Sequence, residues 1–134
     1  MNVTPDLYWL ALTGLMTAAL WMPHVLRLIV QEGVIPAFRD PEALIEPNPK
    51  WAQRSKRAHI NAQLNFAVFA GLVAAAHLAG VDVKVLGTLA MVYFFVRLAH
   101  YLVYTLGLPF LRPNLFVIGA IIQIIIALKI MHVL

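Results

Sequence analysis

The chain has 134 residues, of which 62% are hydrophobic and only 12% charged. Soluble domains run nearer half apolar and a quarter charged, so this composition excludes an ordinary soluble domain and fits one integral membrane domain. The formal net charge is +4 and cysteine is absent. In such a chain a cationic excess reports orientation before it reports nucleic acid, and no disulfide or thiolate metal site is possible.

The first apolar run covers about Leu7–Val30. The "MNVTPD" ahead of it carries no Lys or Arg, and the run is too long for a secretory h-region, so it reads as a span and not a signal peptide. Thr4-Pro5-Asp6 reads as a helix start: a capping hydroxyl, proline in the first turn, and an acid at the positive dipole end. Gln31–Lys56, "QEGVIPAFRDPEALIEPNPKWAQRSK", is the only long polar segment. Its prolines allow short helical turns at most. Three more runs follow, about His59–Gly80, Val85–Leu106 and Leu115–Val133, each near the roughly 20 residues a bilayer core requires. Gly80-Val81-Asp82 makes a tight turn, "GLP" at Gly107–Pro109 breaks the chain, and Pro113 suits a helix opening. The predicted fold is an all-α membrane protein, a four-transmembrane-helix bundle in a single domain spanning 1–134.

Lys and Arg set the expected topology. Arg27, Arg39, Lys50, Arg54, Lys56 and Arg57 lie in or beside the first loop and Arg112 in the third, against only Lys84 and Lys129 on the other side. The positive-inside rule makes the first and third loops cytoplasmic and sends both termini to the opposite side. Tyr8, Trp9, Trp21 and Trp51 suit interfacial belts.

The polar residues inside the spans carry the functional reading. Arg97, His100 and Tyr104 fall at i, i+3 and i+7 on one face of the third helix. Counted back from Leu106, Arg97 lies about 14 Å deep, near the bilayer midplane. An isolated arginine there costs at least ~2.5 kcal/mol, so it requires protein or a wet cavity and an acceptor. On the second helix Arg54, Arg57, Asn61 and Asn65 share a face, with Leu64 on the same side. Arg112 and His24 bring further polar groups to the cytoplasmic half. No Asp or Glu falls inside a predicted span, so the cluster favours an anion: a bound ligand, or a loop carboxylate such as Glu46 folding inward. Blander roles stand beside this one: lipid-phosphate anchoring for Arg54 and Lys56, interhelical bonding for Asn61 and Asn65, a structural or snorkelling role for His77 and His132. Two rival classes are weak. His24, His59 and His100 share a depth that permits haem ligation, but no attachment signature accompanies them. A proton-coupled exporter would keep an intramembrane carboxylate.

These residues resemble the MAPEG family, the membrane-associated proteins in eicosanoid and glutathione metabolism. "RAHINAQLN" at Arg57–Asn65 is similar to the family pattern R-A-H-x-N-x-x-E-N except at the glutamate, and Arg97, His100 and Tyr104 match R-x-x-H-x-x-x-Y. "AFRDPE" at Ala37–Glu42 resembles the family's first-loop A-F-x-N-P-E, and Arg112 stands where the family has an arginine opening the fourth helix. The resemblance implies a homotrimer with glutathione bound between neighbouring subunits near the cytoplasmic face. It implies a pocket drawn from Arg57, His59, Asn61, Asn65, Arg97, His100 and Tyr104, with Arg112 stabilising the glutathione thiolate. Positive charge lowers a thiol pKa, and the thiolate is the nucleophile. The implied activity is glutathione transferase-like, on hydrophobic electrophiles, with no metal. "LYWLALTGLMTAALW" resembles bacterial members, which implies a bacterial inner membrane. The chain departs from the pattern at Leu64, where the family carboxylate is missing, and also at Ile60 and Phe116. Those departures open an alternative: a non-catalytic protein binding an anionic lipid or amphiphile.

Overall fold

The computed structural model describes residues 2–134. Six helices follow in chain order: α1 Pro5–Ala19, α2 Met22–Glu32, α3 Val34–Phe38, α4 Lys50–Leu78, α5 Val83–Leu106 and α6 Leu111–Ile130. By length and apolar composition four candidate spans emerge, Pro5–Glu32, Lys50–Leu78, Val83–Leu106 and Leu111–Ile130. The protein is an all-helical membrane-spanning bundle.

Three boundaries differ from the sequence reading. The first span is broken between α1 and α2, because Pro23 has no N–H to offer the Ala19 carbonyl and its ring crowds that carbonyl. Leu20 N–H closes a tighter bond to Thr17 at 3.4 Å, and the ladder resumes with Val25 N–H on Trp21 at 3.1 Å. The second span starts at Lys50 and not at His59. Pro49 stands at its N-cap, and the polar "KWAQRSK" is made largely of good helix formers that a hydrophobicity pattern misses. The fourth starts at Leu111, with Pro113 inside its first turn. Thr4 precedes α1, but its hydroxyl makes no cap bond.

Helix α5 is the hub, packing against α1, α4 and α6. Between lipid-solvated helices there is little hydrophobic drive, so close van der Waals contact has to hold them. Buried Ala58, Ala62, Ala76 and Ala90 permit that approach. Phe69 of α4 and Tyr93 of α5 stack with ring centroids 3.8 Å apart and planes 8° from parallel, inside a cluster with Val73, Leu86, Ile122 and Ile126. Ser55 and Tyr101 join α4 to α5 by a hydroxyl pair at 2.6 Å. Leu15, Val68, Phe95 and Ile124 are exposed on the outside, as lipid contact requires.

Alternating helix directions gather the end of α2, the start of α4, the end of α5 and the start of α6 at one arginine-rich end. The start of α1, the end of α4 and the start of α5 meet at the other. There Asp6 is fully buried and its carboxylate lies 2.7 Å from His77 Nδ1. This corrects the expectation that no acid enters a span, and it gives His77 a structural partner. The cause is geometric: Gly87 of α5, with no side chain, lets the first turn of α1 press in so closely that a Cβ at Gly87 would stand 2.6 Å from Pro5 Cβ, and the first-turn acid is buried with it.

Candidate functional site

The stripe on α4 and the face on α5 meet at the arginine-rich end. Arg54 is a structural member of that stripe. Its Nε donates to the Thr105 carbonyl at 3.0 Å, satisfying a C-terminal acceptor of α5 and complementing the helix dipole. Its guanidinium covers Gly107, whose φ of +71 and lack of a side chain leave room; a Cβ there would stand 2.9 Å from Arg54 Cζ.

Arg112, in the first turn of α6, places its Cζ 4.7 Å from the centre of the Tyr104 ring. This cation–π contact holds a guanidinium without neutralising it. His100 meets the edge of Tyr104 at 5.9 Å between centroids and lies 6.5 Å from Phe116. Two hollows open on either side of the Arg112–Tyr104 pair. One, of about 390 Å³, is lined by Asn61, His100, Tyr104, Arg112 and Phe116. The other, of about 460 Å³, is lined by Arg54, Arg57, Tyr104, Gly107 and Arg112. Both volumes suit small-molecule sites, which run roughly 300–1,000 Å³. Neither hollow has an Asp or Glu in its lining.

Arg97 is not in either lining. It is only 3% exposed, and its Nη2 donates to Asn61 Oδ1 at 2.6 Å. The arginine at mid-span therefore faces protein, and its acceptor is a neutral amide. Glu46, the loop carboxylate considered for that role, instead pairs with Lys56 at 3.3 Å on the surface. Asn65 stands behind Asn61, donating to its backbone carbonyl at 2.9 Å and its side-chain oxygen at 3.3 Å. Gln123 of α6 donates to the Asn65 carbonyl at 3.1 Å and to the Tyr93 hydroxyl at 3.2 Å. Gln123 and Tyr93 escaped the sequence reading. The lone amide inside "IIQIII" was the available signal, since a polar group in such a tract has to find a partner.

His59 lies on the other side of α4. Its Nδ1 is 3.4 Å from His24 Nε2, with ring centroids 5.5 Å apart. That direct contact leaves no space for a haem between them, and His100 is separate, in the α5–α6 hollow. Within one protomer, then, Asn61, His100, Tyr104 and Arg112 share a hollow, Arg57 borders the adjoining one, Arg97 and Asn65 support Asn61 from behind, and His59 is apart. Leu64 is 68% exposed and borders neither hollow.

Membrane-length helices around a central α5, with guanidinium groups and amides converging on hollows at one end, define a four-helix integral membrane protein. The MAPEG family model matches residues 7–132, nearly the whole chain, and the protein belongs to the MAPEG family. No curated protein and no solved structure matches it.

Proposed function

We propose that the paired hollows bind an anionic, glutathione-type ligand and that the protein acts as a glutathione transferase-like enzyme on hydrophobic electrophiles. The carrying observation is Arg112 held over Tyr104 at the junction of two hollows without a carboxylate to quench it. Arg57 and Arg112 would receive ligand carboxylates and Asn61 would orient the ligand. Arg112 would favour the thiolate over the thiol, so the proton leaves to water and sulfur attacks the electrophile as its leaving group departs. The hollows border the outer surface of the bundle, so an apolar electrophile reaches them from lipid. We place this end in the cytoplasm of a bacterial inner membrane and read the working assembly as a homotrimer. The ligand would then lie between subunits, and His59 or Leu64, remote in one protomer, would belong to a boundary.

A second reading rests on Leu64. Glutathione carries an ammonium as well as carboxylates, and nothing lining the hollows is its counter-charge. A fatty-acid carboxylate needs no such partner, so the protein would bind an anionic amphiphile without turnover. Glutathione-dependent conjugation of 1-chloro-2,4-dinitrobenzene, run with oleate binding in parallel, decides. Turnover that Arg112→Ala abolishes supports the enzyme. Oleate binding without turnover replaces it with the second reading, and neither activity refutes both.

A further inference from the structure

Arg97 raises a question that the reaction leaves open. It carries a full charge at mid-span, yet among the described residues its only side-chain partner is the Asn61 amide, and its Nε has none. We infer that Arg97 is a positioning residue that fixes the Asn61 amide with its oxygen inward, so that Asn61 offers the hollow N–H donors only and, together with the unquenched guanidinium charge around it, the site favours an anion over its neutral amide analogue. The inference deepens the proposed function and rests on the anion-binding reading.

The orientation follows from chemistry. A guanidinium has donors and no acceptor, so the Asn61 atom 2.6 Å from Arg97 Nη2 has to be the oxygen. Asn65 strengthens the assignment. Its Nδ2 lies 2.9 Å from the Asn61 carbonyl, which accepts only, so that nitrogen is a donor and its second neighbour at 3.3 Å is again Asn61 Oδ1. Two donors therefore hold the oxygen. Gln123 donates to the Asn65 main-chain carbonyl at 3.1 Å and ties α6 to the same turn of α4. The Asn61 Nδ2, by contrast, has no partner among the described residues, and Asn61 borders the hollow that also contains Arg112 and Tyr104. Arg97, itself 3% exposed, does not reach that hollow, so it acts on a ligand through Asn61 and through its field. A charge without a carboxylate partner keeps that field positive on the ligand side.

The test compares two acid–amide pairs, oleate with oleamide and glutathione with its C-terminal amide, binding to the full chain in phosphatidylcholine nanodiscs. The readout is the ratio of affinities within a pair, which loss of folded protein does not move. The wild type should favour the acid of the bound pair by about 10- to 100-fold, the worth of a hydrogen bond to a charged group. Arg97→Leu frees the amide to rotate and should lower the ratio about 3- to 10-fold, toward the preference that Arg57 and Arg112 alone sustain. Arg97→Lys keeps a donor-only cation and should restore most of it. Asn61→Asp keeps a partner for Arg97 but faces the hollow with acceptors and a negative charge, and should lower the ratio further than Arg97→Leu does. A role for Arg97 in stability alone would weaken acid and amide equally and leave the ratio intact; that result in Arg97→Leu overturns the inference while the anion site stands. Wild-type protein that binds neither pair, or favours neither acid, overturns the anion-binding reading and the inference with it.

Discussion

The two ends of the bundle solve the same problem in opposite ways. Asp6 and Arg97 are both buried charges within spans. Asp6 has a histidine nitrogen at 2.7 Å, and the helices around it are closed so tightly that Gly87 leaves no room for a methyl group. Arg97 has only an amide, and next to that amide the helices part into two hollows lined by more positive charge. A buried charge with a hydrogen-bond partner in closed packing is a joint. A buried charge with a neutral partner beside an open hollow is half of a site, because the missing charge has to come from elsewhere. Substitutions at one end should therefore change stability and spare ligand binding, and those at the other should do the reverse.

The largest effect is expected at the closed end. His77→Leu removes the partner of a carboxylate that has no access to solvent. Leaving a buried carboxylate without its hydrogen-bond partner costs about 3 kcal/mol, since a charged group is stripped of a donor that water does not replace. The thermal midpoint in detergent should fall by many degrees, and Asp6→Asn on the same background should recover part of the loss. The binding ratio at the distant hollow should stay at its wild-type value in whatever fraction remains folded. A midpoint that does not move would show that His77 is not a joint.

At the open end, Arg112→Ala should do the opposite. Its guanidinium is exposed and bonded only to the face of Tyr104, so stability should change little, about 1 kcal/mol or less for an exposed cation–π contact. Removing a preorganised charge from a reacting site costs on the order of 100- to 1,000-fold in turnover. Conjugation rate and thermal midpoint measured on one preparation separate the two. A fall in midpoint comparable with that of His77→Leu would make Arg112 a second joint.

The contrast between the ends was only half legible in the sequence. Arg97, His100, Tyr104 and Asn61 stand out because polar groups inside apolar tracts have to find partners, and their helical spacing puts them on shared faces; Arg112 stands out at the opening of the fourth span. What the spacing could not supply was which side of a neighbour each group meets. Arg97 and His100 share a face of α5, yet one is sealed behind Asn61 and the other borders a hollow. His59 lies within the "RAHIN" stretch, but two residues of helix turn a side chain by about 200° from Arg57, and from Asn61 as well. Asp6 looked like a terminal helix acid because sequence distance from the chain end says nothing of depth. The four spans were visible from apolar length alone. Their true starts were not, since "KWAQRSK" is helical by propensity and polar by composition.

Gly87→Ala tests the closed end more gently. A Cβ at that position would stand 2.6 Å from Pro5 Cβ and 3.2 Å from the Asp6 backbone nitrogen. Neither neighbour is the tip of a flexible chain, so the start of α1 has to move. Overpacking of this kind costs about 1–3 kcal/mol. The shift also drags Asp6 away from His77, so Gly87→Ala and His77→Leu should be non-additive in a double-mutant cycle of midpoints. Strict additivity would mean that the close approach and the Asp6–His77 contact are independent.

The smallest and sharpest prediction concerns Leu64. It sits seven residues, or roughly 10 Å, beyond Arg57 along α4 and is largely exposed on the protomer. If that surface faced lipid, Leu64→Glu would bury a bare carboxylate in hydrocarbon, at a cost of ~2.5 kcal/mol or more, and the protein should insert poorly. If it faces a neighbouring subunit and a ligand ammonium, the variant should insert normally and glutathione affinity should rise about tenfold, while oleate affinity should fall because a carboxylate now opposes it. Isothermal titration with both ligands, after confirming membrane insertion, reads the outcome directly. Opposite movement of the two affinities would locate the missing counter-charge of the open end. A parallel change, or none, in protein that inserts normally would place Leu64 away from the ligand ammonium and remove the second charged contact that a glutathione site at this end requires.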